Sequence, residues 1–206
     1  MATSHLSRSG LCIKIYKRVS MIAYVHGFNS SPASNTFGLL RRVFPNAHAL
    51  RYPSSGLFPE NLAHLQGQVA ALRAEEAGPL VLVGSSLGGF YASQLSALLA
   101  CNCALFNPVV RPAQALRQFV GPNTCFHGGQ RWEFTDEMCD SYAIFSDARK
   151  AFVERLVVLG RADTLLDPAE ARAYWKNHAR IHETDDGHSL AALDGIITET
   201  LAAWQQ

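Results

Sequence analysis

The sequence nowhere sustains the roughly 18 consecutive apolar residues that a membrane-spanning helix requires, so no membrane span is expected. Acidic residues are missing from its opening. The first is Glu60, whereas Arg8, Lys14, Lys17, Arg18, Arg41, Arg42 and Arg51 all precede it. The Ser-rich, basic start is faintly similar to a transit peptide. It lacks an apolar stretch followed by a small-residue cleavage site, which argues against a secretory signal. The expectation is a folded domain that opens at Met21, with residues 1–20 a disordered extension. Bulk charge is also missing. A net charge of +1 gives no electrostatic case for nucleic acid or for an acidic surface. The five cysteines are odd in number and form no C-x-x-C pair, so reduced thiols in a cytoplasmic protein are expected rather than a disulfide framework. No H-E-x-x-H or similar ligand spacing occurs. His26, His188 and Asp186 could together offer metal ligands, but their spacing matches no metal motif, and neither a metal nor a cofactor is expected.

What is present is an ordinary globular composition, 48% apolar and 17% charged over 206 residues, enough for one domain with a sizeable core. Six apolar runs read as strands: Met21–His26, Ala47–Tyr52, the run from Val81, Cys103–Phe106, Leu156–Gly160 and the weaker Ala179–Glu183. Helical spacing separates them, with Ser34 a candidate cap and Pro59 and Pro168 opening helices. Regular alternation of this kind predicts an α/β fold, a mostly parallel six-stranded sheet with helices on both faces. The break is Val109–Lys150, long, irregular and without strand character. Its aromatics (Phe119, Phe126, Trp132, Phe134, Tyr142, Phe145) suggest a small helical cap over a site. The same aromatics would also suit a peripheral insertion packed on the core.

The run from Val81 ends in Gly84-Ser85-Ser86-Leu87-Gly88, a Gly-x-Ser-x-Gly pattern between a buried strand and a helix. That is the setting of a nucleophile elbow, a tight turn that presents a serine above the sheet and tolerates only tiny neighbours. A serine hydroxyl needs a base, and the base needs an orienting carboxylate. In open α/β sheets such groups gather at the carboxyl ends of strands. Asp163 follows the fifth strand and His188 the sixth, so Ser86, Asp163 and His188 are the catalytic candidates. Asp167, Asp185 and Asp186 are nearby rivals for the carboxylate, Asp167 in a position suited to capping a helix. An oxyanion hole needs two N–H donors. Leu87, after the serine, and Phe28, in the loop after the first strand, are the candidates. His26 is expected to pin that loop by hydrogen bonds.

Four stretches taken together carry a resemblance: His26-Gly27-Phe28-Asn29-Ser30-Ser31-Pro32, Gly84 to Ala92, Asn107-Pro108-Val109-Val110-Arg111-Pro112 and Asp185-Asp186-Gly187-His188. They resemble the YqiA-like esterases, small bacterial members of the α/β-hydrolase superfamily, in the same order over about residues 21–204. The resemblance implies a compact α/β-hydrolase fold and Ser86, Asp163 and His188 as a triad. It also implies hydrolysis of a small-molecule acyl ester, or of an acyl-CoA or acyl-carrier thioester, without a cofactor. Residues 1–20 have no counterpart, and Asn123–Trp132 varies, so substrate preference does not transfer. A hydrolase fold retained for binding, without turnover, is the competing class. The sequence leaves the oligomeric state open.

Overall fold

In a computed structural model, residues 21–76 and 78–206 are described, and the expected extension over residues 1–20 lies outside them. The elements in chain order are β1 (Met21–Val25), α1 (Asn35–Val43), β2 (His48–Leu50), α2 (Phe58–Glu75), β3 (Leu80–Ser85), α3 (Leu87–Leu99) and β4 (Asn102–Phe106). There follow α4 (Pro112–Leu116), β5 (Gly121–Thr124), β6 (Arg131–Phe134), α5 (Asp136–Ser141), β7 (Arg155–Gly160), α6 (Pro168–Trp175), β8 (Arg180–Thr184) and α7 (Gly195–Ala203). Six strands form one sheet in the order β2-β1-β3-β4-β7-β8, and every neighbouring pair is parallel. All carboxyl ends therefore meet at one edge.

The inner strands read as unbroken apolar runs because both of their faces are covered. Alternate residues of β1 sort into two cores. Met21, Ala23 and Val25 belong to one core, which also holds Leu65 of α2 and Tyr91 and Leu95 of α3. Ile22 and Tyr24 face α1 and α7, where they meet Leu40, Ile197 and Leu201. The expected α/β architecture, a parallel six-stranded sheet with helices on both faces, is met. Ser34 caps α1 by accepting from Phe37 N–H, and α6 opens with Asp167 as its cap and Pro168 as its first residue.

Residues 109–150 hold the short helices α4 and α5, and add strands where no strand character is expected from the sequence. Between α4 and α5 the chain forms an antiparallel hairpin, with Gly121 opposite Phe134 and Thr124 opposite Arg131. Its turn passes through Gly128 and Gly129, both at positive φ (+88° and +65°). Pro122 reads as a strand breaker, yet in a two-stranded ribbon its missing N–H is tolerated at an edge. The aromatics divide. Phe134 and Tyr142 are fully buried in the core, whereas Phe119 and Phe126 line a cavity at the carboxyl edge of the sheet.

Candidate active site

The candidate serine stands between β3 and α3 with φ 57° and ψ −124°. A non-glycine residue there carries strain on the order of 1–3 kcal/mol and persists only where its surroundings over-determine it. Here the Ser86 N–H donates to Phe106 O (2.9 Å), and the Ser86 carbonyl accepts from Val109 N–H (3.1 Å). Helix and strand touch below the turn. A Cβ on Gly84 would lie 2.1 Å from the Gly88 carbonyl oxygen, so only glycine fits. β4 and the loop after it thus clamp the turn from one side, and α3 clamps it from below.

Asp163 lies in the turn after β7, and its side chain is only 2% exposed. One carboxylate oxygen accepts from the N–H groups of Leu165 (2.8 Å) and Leu166 (3.0 Å). The other accepts from His188 Nδ1–H at 2.8 Å. Burial works to raise the Asp163 pKa. The His188 hydrogen bond and charge, with the Leu166 and Leu165 N–H bonds, outweigh it and hold the carboxyl below its ordinary value. With Nδ1 protonated, Nε2 of neutral His188 carries the lone pair. Nε2 makes no hydrogen bond among the described residues, and His188 lines the same cavity as Ser86.

The rival carboxylates are engaged elsewhere. Asp167 accepts from Ala169 N–H at the start of α6, Asp185 pairs with Arg161 (2.6 Å), and Asp186 accepts from Ala191 N–H (3.2 Å). Asn107, which the sequence shows only as the end of a strand, holds the His188 loop. Its amide nitrogen donates to the carbonyls of Gly187 (3.1 Å) and His188 (2.9 Å), and its amide oxygen accepts from Gly160 N–H (2.8 Å). One buried side chain therefore ties the ends of β4 and β7 to the loop after β8.

The loop after β1 passes close over the serine. A Cβ built on Gly27 would lie 3.2 Å from Ser86 Cβ. Neither Phe28 N–H nor Leu87 N–H has an acceptor among the described residues, and both residues line the cavity. His26 pins the loop, as expected. Its Nδ1–H donates to Gly27 O (3.0 Å), its ring stacks on Tyr52 at 4.5 Å, and its carbonyl accepts from Tyr52 OH. Burial pushes the His26 pKa down, with Arg51 and His127 acting in the same direction. With its ring held this way, His26 does not join His188 and Asp186. No group of three or more His, Cys, Asp or Glu among the described residues is placed to hold a metal ion.

The cavity over Ser86 has a volume of about 470 Å³. Its walls are mostly apolar, with Val109, Leu116, Phe119 and Phe126 on one side and Leu165 and Leu166 beside His188. Among the described residues, Arg and Lys do not occur in its lining. Phe126 and His127, at the hairpin tip, had no signal in the sequence beyond aromatic density. Asn29 had none beyond its place in the loop.

Comparison with known proteins bears on the fold and on the family. The fold is close to that of Est1E from Butyrivibrio proteoclasticus, with a TM-score of 0.70 at 13% identity over 91% of this chain and 87% of that one. The same protein has been solved with ferulic acid bound. The esterase domain of a Rhodothermus marinus protein superposes with a TM-score of 0.65 at 18% identity, over 93% and 88% of the two chains. Mouse alpha/beta hydrolase domain-containing protein 10 gives 0.59 at 13%, over 89% and 86%. In sequence, a UPF0227 protein of Yersinia enterocolitica is 29% identical over 153 residues, 71% of this chain and 77% of that protein. A UPF0227 protein of Pasteurella multocida is 31% identical over 94 residues, 45% of this chain, and the match spans about half (52%) of that relative's length. The family described as "Uncharacterised protein family (UPF0227)" matches residues 21–203, so the chain belongs to that family, the YqiA-like group its motifs resemble.

Proposed function

We propose that the protein is a serine hydrolase that cleaves carboxylic esters through an acyl-enzyme. The observation that carries this is the convergence of three strand ends on one cavity. Ser86 sits there on its strained turn, and His188 is locked to the buried Asp163. In the proposed cycle, His188 Nε2 takes the Ser86 proton as Oγ attacks the ester carbonyl. The oxyanion receives the otherwise unused N–H groups of Phe28 and Leu87. His188 then gives its proton to the leaving alcohol. Water repeats the sequence on the acyl-enzyme and releases the acid. Asp163 fixes the tautomer and stabilises the imidazolium. Esterases among the proteins of like fold support this chemistry by analogy.

The test is intact-mass spectrometry after exposure to a fluorophosphonate. Wild type should gain one phosphonyl group, and Ser86→Ala none. Esters rank above acyl-CoA thioesters because, among the described residues, the cavity lining carries no Arg or Lys to receive a phosphate-bearing carrier. Comparable kcat/KM for an acyl-CoA and the matching p-nitrophenyl ester would reverse that order. A binding protein without turnover is the outcome if wild type stays unmodified.

A further inference from the structure

We infer that Asn29 is a positioning residue that couples the oxyanion loop to the β5–β6 hairpin, so that one side chain sets both the Phe28 N–H and the wall of the cavity. The inference rests on the esterase proposal and adds to it a residue with no direct part in the cycle. Asn29 is 6% exposed, and it stands at φ +55°, where Asn is among the few non-glycine residues tolerated. Its polar groups are used in four directions. Its N–H donates to Ser54 Oγ (3.0 Å), and its carbonyl accepts from Phe126 N–H (2.8 Å). Its amide nitrogen donates to Asn123 Oδ1 (2.9 Å), and its amide oxygen accepts from Trp132 Nε1 (2.8 Å).

The partners require an amide at this position. Asn123 spends its own NH₂ on the carbonyls of Phe119 (2.7 Å) and Gly121 (2.9 Å), so it offers only an acceptor to Asn29. Trp132 offers only a donor. A carboxylate would meet the Asn123 oxygen without a proton between them, and an apolar side chain would leave both partners unsatisfied. All three bonds beyond Ser54 reach the hairpin, whose tip carries Phe126 and His127 into the cavity. The residue before Asn29 is Phe28, whose ring packs against Trp132 and Phe134 of the hairpin. Moving the hairpin therefore moves the oxyanion donor.

Steady-state kinetics on a short p-nitrophenyl ester test this, with melting temperature measured alongside. Asn29→Gly keeps the backbone angle and removes the coupling. Its kcat should fall about 10–100-fold, the scale of a misplaced catalytic contact, with KM within about threefold. Asn29→Asp keeps the Trp132 acceptor but sets an oxygen against Asn123 Oδ1, so its kcat should fall as well. If Asn29→Gly does not fold, Trp132→Phe carries the test, because it deletes one donor and keeps an aromatic ring against Phe28. There kcat should fall at least about fivefold at unchanged KM. A kcat within about twofold of wild type in whichever variant folds overturns the inference. So does a rise in KM at unchanged kcat, which would make the hairpin a wall only. Wild type that neither turns over the ester nor takes up fluorophosphonate overturns the esterase proposal and this inference with it. Wild type that does both, beside an unimpaired variant, overturns the inference alone.

Discussion

Asp163 has two jobs at the residue scale, and each has a measurable consequence. It orients His188, and it receives two N–H groups of its own turn. Asp163→Asn should lower kcat by about 10⁴-fold, the cost of the wrong imidazole tautomer in a serine triad. Asp167→Asn should leave kcat within about twofold, because Asp167 caps α6 and Asn caps nearly as well. A larger loss at Asp167 than at Asp163 would reassign the acid. The Asp163 pKa is lowered from 3.8, so its contribution to stability is full above 3.8 and lost as pH falls through the lower folded value. His26 acts at higher pH. Burial lowers its pKa from 6.5, so as pH falls below 6.5 the unfolded chain binds a proton that the native ring resists. Stability should decline on acidification from pH 7 to 5. His26→Gln should show a shallower decline by denaturant unfolding, and an unchanged slope would contradict the buried neutral ring.

At the scale of elements, the β5–β6 hairpin is the part that shapes the cavity. Phe126 is 77% exposed at its tip, yet it faces the cavity over Ser86. Phe126→Ala should raise KM for long-chain p-nitrophenyl esters by about 3–10-fold, a fraction of a fully buried phenyl group. It should leave short esters nearly unchanged, and equal effects on both would remove Phe126 from acyl binding. This hairpin is also where the sequence is least readable. The inner strands announce themselves because burial on both faces demands continuous apolar residues, as in Val81-Leu82-Val83. Gly121-Pro122-Asn123-Thr124 has no such run, since a ribbon of two short strands needs only its cross-strand bonds and a few buried rings. The Gly-x-Ser-x-Gly pattern marks Ser86, and strand order narrows its partners to residues after β7 and β8, leaving Asp167, Asp185 and Asp186 beside Asp163 as readable carboxylates. The networks of Asn29 and Asn107 are not legible in this way. Asn29 meets partners 94 and 103 positions away and Asn107 meets His188 81 positions away, so no local pattern marks them.

Taken as a whole molecule, the parallel sheet presents the candidate site at its carboxyl edge. Amide exchange should be slowest in β1, β3 and β4, which are covered on both faces, and faster in β5–β6, which among the described residues pairs only with itself. Slow exchange in the hairpin equal to that of β3 would contradict a site with one rigid and one adjustable wall. Among the described residues no helix is long and apolar enough to cross a membrane. The chain, a member of the UPF0227 family, carries the α/β-hydrolase fold, so the central claim concerns one atom, Ser86 Oγ. The most direct measurement is the intact mass of wild type and of folded Ser86→Ala after incubation with a fluorophosphonate. One phosphonyl adduct on wild type and none on the variant is the expected result. An unmodified wild type, or an adduct that persists on Ser86→Ala, would contradict the account.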